Sequence, residues 1–431
     1  MDEAARAALC ARGLGDIFDP TLREAIAALV DDVRARGDAA VCDALQRFDG
    51  IALTPGQLRV TREEIEAAEV TPAIDDALDD AIAHCRAFNQ QLMARATAWS
   101  FEPEPGLRVG EKVGPIASAG LFVPSGKASY PSVAYQLGVP ATVAGVPQVA
   151  LVVPPIPGGD GEVDPAVLVV CRKLGIDDVF CVNGPAGLAA LGFGTESIPR
   201  VRKVVGPGSP AVTAAQIELQ RHGVVTMMVL GPTESLVIAD GSADPVRLAA
   251  DLLIEAEHGT DSAVVLVTTS TDLADATDAA LSRQIADLPP VRAEAAAASL
   301  GINGGCVLVD SLEDAAAVAN RYAPEHLQLA VGEYDVDKMV DALVNAGEIL
   351  IGQHTPFSAA NFVIGCPASL PTSGFAEVSS GITVEAFLKR TAIAQADEPA
   401  LARMAPSIIA LADHEGFAAH GAAIRRRMDG R

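Results

Sequence analysis

The sequence predicts an α/β protein of two modules, with helices ahead of them and a C-terminal tail behind. Three observations carry that prediction. Residues 1–100 show helical periodicity. From Gly114 onward, short β-rich runs alternate with Ala- and Leu-rich helical segments. A second alternation of the same kind begins near residue 244. Such alternation is the pattern of βαβ units, a parallel sheet covered by helices on both faces.

The elements follow in order. Ile26, Leu29, Val30 and Val33 fall at i, i+3, i+4 and i+7, one face of a helix. Thr61 and Glu64 form a capping box that opens a run to Ala68, and Pro72 stands near the start of a helix reaching about Met93. Strands are expected at Ala119–Val123, Val149–Val153, Val179–Val182, Val201–Val205, Val224–Val229 and Leu236–Ala239, with helices at 166–174 and 185–191 between some of them. Residues 155–163 read as a surface loop by their turn chemistry. In the second alternation a helix over 244–258 leads to the strand Ala263–Thr268. Helices over 271–300 lead to Cys306–Val309, and Glu348–Ile351 precedes a Gly/Ser/Pro-rich stretch from His354 to Ser380. Ile424–Arg431 is a basic tail.

Composition excludes several classes. The 431 residues carry a formal net charge of −25, and half of them are hydrophobic. That apolar content is enough to offset the entropy of ordering a fold, so the chain is not disordered. The acidity argues against nucleic acid and against a membrane surface as partners. No apolar run reaches the ~18–20 residues that span a bilayer. Met1–Arg12 lacks the apolar core of a signal peptide. Seven scattered cysteines without a CxxC predict a reduced, cytoplasmic protein.

Five stretches could carry chemistry. Glu255 and His258 lie three apart in a helical run, on one face, as two metal ligands would; a histidine countering the dipole at a helix end is the plainer reading. Glu325 and His326 are an adjacent acid and imidazole, suited to proton transfer if they are not simply in a solvated loop. His414 and His420 stand six apart, too far for one helical chelate. Pro124–Lys127 and Gly206–Ser209 are glycine-rich, but neither fits a phosphate-loop or dinucleotide fingerprint, so a turn role is expected.

In order, these and further stretches resemble the histidinol dehydrogenase family. They include Gly120–Ser132, Val139–Val146, Ala189–Ser197, Val205–Gly208, Gly231–Glu234, Asp251–Asp261, Arg321–Leu327, Leu370–Gly374 and Glu415–His420. The resemblance covers about residues 20 to 425. It implies a homodimeric zinc enzyme with two incomplete Rossmann-like domains. Such an enzyme oxidises an alcohol through an aldehyde to a carboxylate with two NAD. It implies metal ligands at Glu255, His258 and Asn361, and a fourth at His420 supplied by the partner subunit's tail. Glu325 and His326 match the catalytic pair: the histidine is the base for alcohol oxidation, and the glutamate activates water for the second step. Thr233 and Glu415 match substrate contacts, joined there by Glu255, His258, His326, Asn361 and His420. Phe122, Ala186 and Ser209 fall on NAD positions.

The departures from the family pattern also set expectations. Glu255 stands for Gln and Asn361 for Asp, which leaves the ligand charge unchanged and predicts that a divalent metal is still bound. Ala368 replaces a substrate-contacting histidine. Phe122, Ala186 and Ser209 replace Tyr, Gln and Asn, which predicts weak NAD binding, a different acceptor or a shifted cofactor. With the catalytic pair kept, the expectation is a dehydrogenase acting on another small polar alcohol, an amino alcohol or diol, and not on L-histidinol. Histidinol oxidation and a catalytically altered binding protein are the alternatives. The expected domains are 1–113 with 235–320, then 114–234 with 321–375 on the nucleotide side, and a dimer-exchanged tail over 376–431.

Overall fold

The computed structural model describes residues 9, 10, 12, 18–125, 129–227, 231–332 and 336–428. Met1–Ala8, Gly126 and Lys127 of the first glycine-rich candidate, and Met228 and Val229 of one expected strand lie outside the described residues.

The helix α1 (Pro20–Arg36) begins where its residues dictate. The Asp19 carboxylate accepts from the Leu22 amide at 2.8 Å, and Pro20 occupies the first helical position. Ile26, Val30 and Val33 of the expected face are buried. After α2 (Asp38–Phe48), the predicted capping box opens α3 (Arg62–Ala67): Thr61 Oγ1 accepts from the Glu64 amide, and Glu64 Oε2 accepts from the Thr61 amide at 2.7 Å. The long helix α4 (Pro72–Arg95) follows.

Next come the hairpin β1 (Trp99–Glu104) and β2 (Leu107–Pro115), and then the first parallel module. Its elements are β3 (Ala119–Phe122), α5 (Pro131–Val143), β4 (Val149–Val153), α6 (Pro165–Leu174), β5 (Asp178–Cys181), α7 (Gly184–Phe193), β6 (Lys203–Val205), α8 (Pro210–Gln220) and β7 (Val225–Thr226). The strand order is β5-β4-β3-β6-β7, every pair parallel. Side chains alternate across the sheet, so each strand feeds two cores. Leu121 and Leu151 pack with Leu78 and Ile82 of α4, Leu137 of α5 and Val167 of α6. Phe122, Val152 and Phe180 pack on the other face with residues of α1, α2, α7 and α8.

The second module comprises β8 (Glu234–Ala239), α9 (Pro245–Ala256), β9 (Ala263–Thr268), α10 (Thr271–Ala286), α11 (Pro290–Gly301), β10 (Gly305–Leu308), α12 (Leu312–Tyr322), β11 (His326–Ala330), α13 (Val336–Ala342), β12 (Glu348–Ile351) and α14 (Phe357–Phe362). Its order, β10-β9-β8-β11-β12, repeats that of the first. Both sheets start at a middle strand, grow outward one way and then the other. This is the Rossmann order short of its sixth strand. Val237 and Leu266 meet α9 and α11, while Leu236, Ile238 and Leu327 meet α12 and α13.

The expected domain boundaries need correction. Residues 321–375 do not join the first sheet. The β11 strand pairs with β8 from His326↔Ser235 to Ala330↔Ala239, and β12 pairs with β11, so both complete the second sheet. The N-terminal helices in turn pack on the first sheet, not on 235–320. A strand goes where its backbone groups can be paired, and β8 had one open edge.

The structure also contains a sheet that periodicity did not reveal. In the tail, β13 (Leu388–Ala396) pairs antiparallel with β2, giving the order β1-β2-β13. Beyond it α15 (Glu398–His414) and α16 (Ala418–Met428) pack on each other. Among the described residues no helix is long and apolar enough to cross a membrane.

Candidate active site

In the first sheet the chain departs in both directions from β3, so its switch point lies between the carboxyl ends of β3 and β6, where open α/β sheets take ligands. Phe122 ends β3, Ala186 sits in the first turn of α7 after β5, and Ser209 caps α8 after β6. Thus the three expected cofactor positions share one edge. Phe122 and Ala186 are buried, and Ser209 is exposed. Gly206–Ser209, expected as a turn, is instead an irregular link from β6 into α8. The Gly206 carbonyl accepts from Gln216 Nε2 at 2.8 Å, and Gly206 holds φ at +149°, a conformation open to glycine.

In the second sheet the chemistry lies at the opposite, amino edge. Glu234 opens β8, His326 opens β11 and Glu348 opens β12. The segment with Glu325 and His326 is no solvated loop: the two residues are 7% and 3% exposed. Glu325 Oε2 accepts from the Glu234 amide at 3.0 Å, and its Oε1 stands 3.7 Å from His326 Nε2. His326 Nδ1 lies 2.5 Å from Glu348 Oε1, and the Phe357 ring meets the imidazole edge-on at 5.8 Å. Burial pushes the Glu325 carboxyl up, against the pull of His326. Burial pulls His326 down, but the carboxylates of Glu325, Glu255 and Glu348 outweigh it and raise the imidazole. Each member of the adjacent pair thus acts on the ionisation of the other. Thr233, half-buried, precedes β8 at this edge, with its carbonyl accepting from the Ala263 amide.

The expected metal side lies close by. Glu255, on α9, is 1% exposed and contributes to the field at both Glu325 and His326. The helix ends at Ala256, two residues before expected, and His258 follows it. Asn361 on α14 donates its side-chain amide to Glu255 Oε1 at 2.7 Å, so the side-chain oxygen Oδ1 is the atom it could offer a metal. His258 Nδ1 is 3.0 Å from the Ile254 carbonyl and 3.4 Å from Glu255 Oε2. The bond to Ile254 makes Nδ1 the protonated nitrogen and frees Nε2 as a donor to metal. Glu255 thus stands between the Asn361 side-chain amide and the His258 imidazole.

His420 and Glu415 do not join this group within the chain. Both are exposed on the tail, where the His420 ring leans on Phe417 at 5.1 Å. Among the described residues, no hydrogen bond or ion pair connects either of them to Glu255, His258, Glu325 or His326, and no three His, Cys, Asp or Glu side chains form a metal cluster.

Two residues that the sequence did not single out hold the site together. Glu348 partners His326; its only signal was an acid at the head of an apolar strand. Gln136 on α5 bridges the modules, donating to the Asn361 carbonyl at 2.8 Å and accepting from the Ala368 amide at 3.1 Å. Tyr135 adds a bond from its hydroxyl to the Phe362 carbonyl at 2.6 Å.

Known proteins resemble the chain throughout. A curated histidinol dehydrogenase of Rhizobium meliloti (strain 1021) is 42% identical over 94% of this chain and 91% of its own. One of Synechocystis sp. is 41% identical over 93% and 91%. The crystal structure of histidinol dehydrogenase from Elizabethkingia anophelis superposes with a TM-score of 0.93 at 30% identity, over 100% of this chain and 97% of that one. These findings overturn the expectation of a different polar alcohol as substrate. The departures touch a few positions, while likeness to enzymes of this name runs the length of the chain. A family model described as histidinol dehydrogenase matches residues 16–428, and the chain belongs to the histidinol dehydrogenase family.

Proposed function

We propose that this chain oxidises L-histidinol, through the aldehyde, to histidine with NAD. The observation that carries the reading is the buried pair at the amino edge of the second sheet, where His326 Nε2 faces Glu325 near the Glu255 carboxylate, itself held by the Asn361 amide. In its neutral form His326 takes the hydroxyl proton of the alcohol at Nε2. Glu325, its carboxyl raised by burial, takes a proton from the water that adds to the aldehyde.

Glu255, His258 and Asn361 offer two oxygens and one nitrogen, a set that suits zinc or manganese. His420 of the partner subunit would complete it, and Glu415 of the partner subunit would face the substrate, in a homodimer. NAD would lie at the β3–β6 switch point of the first module. Phe122 and Ala186 form the buried floor beneath that point, and the exposed Ser209 hydroxyl and the amides opening α8 would give it polar contact. When bound, a divalent cation would supply Lewis-acid polarisation of the alcohol oxygen, and two NAD in turn would supply the hydride acceptor, one for each oxidation. The free cysteines fit a reducing compartment, so we place the reaction in the cytoplasm.

The test is purified, zinc-supplemented protein given L-histidinol and NAD, with NADH formation followed by absorbance. Turnover is expected to yield two NADH per histidinol. Folded, metal-loaded protein with no turnover would overturn the reading.

A further inference from the structure

His326 is held from three directions. The Glu348 carboxylate contacts Nδ1 at 2.5 Å, the Phe357 ring borders the imidazole, and Glu325 stands 3.7 Å from Nε2. The first contact is built by the sheet itself. Parallel pairing of β11 with β12 sets His326 directly opposite Glu348, both at the head of their strands and both buried. Opposite residues on neighbouring strands present side chains to the same face. The other oxygen of Glu348 is engaged too, with the Cys366 thiol 3.6 Å from Oε2. Burial pushes that thiol up to about 12, so it stays protonated and donates. Little freedom remains to the Glu348 carboxylate.

We propose that Glu348 is a positioning residue for His326, fixing its tautomer with the proton on Nδ1 and turning Nε2 toward the substrate. A neutral imidazole with N–H at Nδ1 has its lone pair on Nε2, the nitrogen that faces Glu325. When Nε2 accepts the alcohol proton, the imidazolium keeps its Nδ1–H bond to the Glu348 carboxylate, and the charge formed is met where it forms. Without Glu348 the imidazole could carry its proton on Nε2 and offer no base to the alcohol. This rests on the reading above, in which His326 is the base.

Three variants test it: Glu348→Ala, Glu348→Gln and Glu348→Asp. In Glu348→Ala, kcat with L-histidinol falls by roughly 10²- to 10⁴-fold, the scale of removing the partner of a catalytic imidazole, while KM stays within a few-fold. Glu348→Asp, which keeps a carboxylate, recovers part of the loss. In proton NMR of the resting protein, wild type shows one strongly downfield imidazole N–H resonance that disappears in Glu348→Ala and in His326→Ala. The near-isosteric Glu348→Gln, with unfolding as a check, stands in if Ala does not fold. Unchanged kcat in folded Ala or Gln variants overturns the proposal. So does a change in KM alone, or a downfield resonance that survives removal of Glu348. The NMR readout needs no turnover, so an inactive wild type would count against the function and not against the positioning.

Discussion

Asn361 donates its side-chain amide to the buried Glu255 carboxylate at 2.7 Å, joining α14 to α9 across 106 residues of chain. The bond satisfies one oxygen of a carboxylate that is almost wholly out of water. Replacing Asn361 by Asp removes the donor and sets two carboxylates against each other. Without metal, Asn361→Asp is expected to cost roughly 1–3 kcal/mol. A divalent cation bound between them offsets that cost. Thermal unfolding in chelator and with excess zinc checks this. The expected outcome is a lowered midpoint in chelator, recovered by zinc, and a double variant Glu255→Gln/Asn361→Asp close to wild type in chelator. A single variant indifferent to chelator would refute the placement of the metal at this pair.

The two members of the proposed catalytic pair are expected to fail differently. His326→Ala removes the acceptor of the alcohol proton and should lower turnover by about 10²- to 10⁴-fold while the protein stays folded. Glu325→Gln leaves the first oxidation in place and slows the second. NADH formed per histidinol should then drop from two toward one, with aldehyde trapped by an added nucleophile. Two NADH per histidinol at an undiminished rate would reassign the water-activating group.

The elements were legible where local chemistry decides them. Thr61 and Glu64 announce a helix start, and Ile26, Val30 and Val33 announce a buried face, whatever else the chain does. The grouping of elements was not legible. The strand opened by His326 pairs with Ser235, some ninety positions earlier, and no local pattern distinguishes that edge from the first sheet. The strand β13 is exposed along nearly its whole length, so no alternation marks it. The site divides in the same way. Glu325 and His326 were visible as an unusual adjacent pair of groups. The meaning of Glu348 depends on strand register, and that of Gln136 on how two modules meet.

The tail makes a stronger claim on assembly. His420 and Glu415 are exposed, on helices that follow a strand attached to the β1–β2 hairpin and not to the second module. If His420 of the partner subunit completes each site, His420→Ala and His258→Ala proteins are each impaired in metal binding and turnover. Unfolding and reassociating the two together should return activity, because some heterodimers then carry one site with both histidines intact. The expected recovery approaches one quarter of the wild-type rate, since half the dimers are mixed and one of their two sites is whole. No recovery beyond that of either variant alone would mean that the tail serves its own chain or no site at all.

Stability should depend on pH through Glu234. Its carboxylate, at the head of β8, is 1% exposed, accepts from the Ser373 amide at 3.0 Å and pairs with Arg12 at 2.6 Å. Arg12 also lies over the Tyr322 ring, 3.8 Å from its centre. Burial outweighs Arg12 and the backbone donors and pushes the carboxyl up from 4.5 to about 7. The folded state therefore holds this proton more tightly than the unfolded chain. The stabilisation is fully present below about pH 4.5 and is lost as pH rises through about 7, a change of roughly 3 kcal/mol. Glu234→Gln, a permanent mimic of the neutral form, lacks this dependence. Between about pH 5 and pH 8 the difference in unfolding free energy should move in favour of the variant by up to that amount, read from urea unfolding at the two pH values. A difference that stays constant, or moves toward wild type, would show that Arg12 dominates and that Glu234 is ionised throughout.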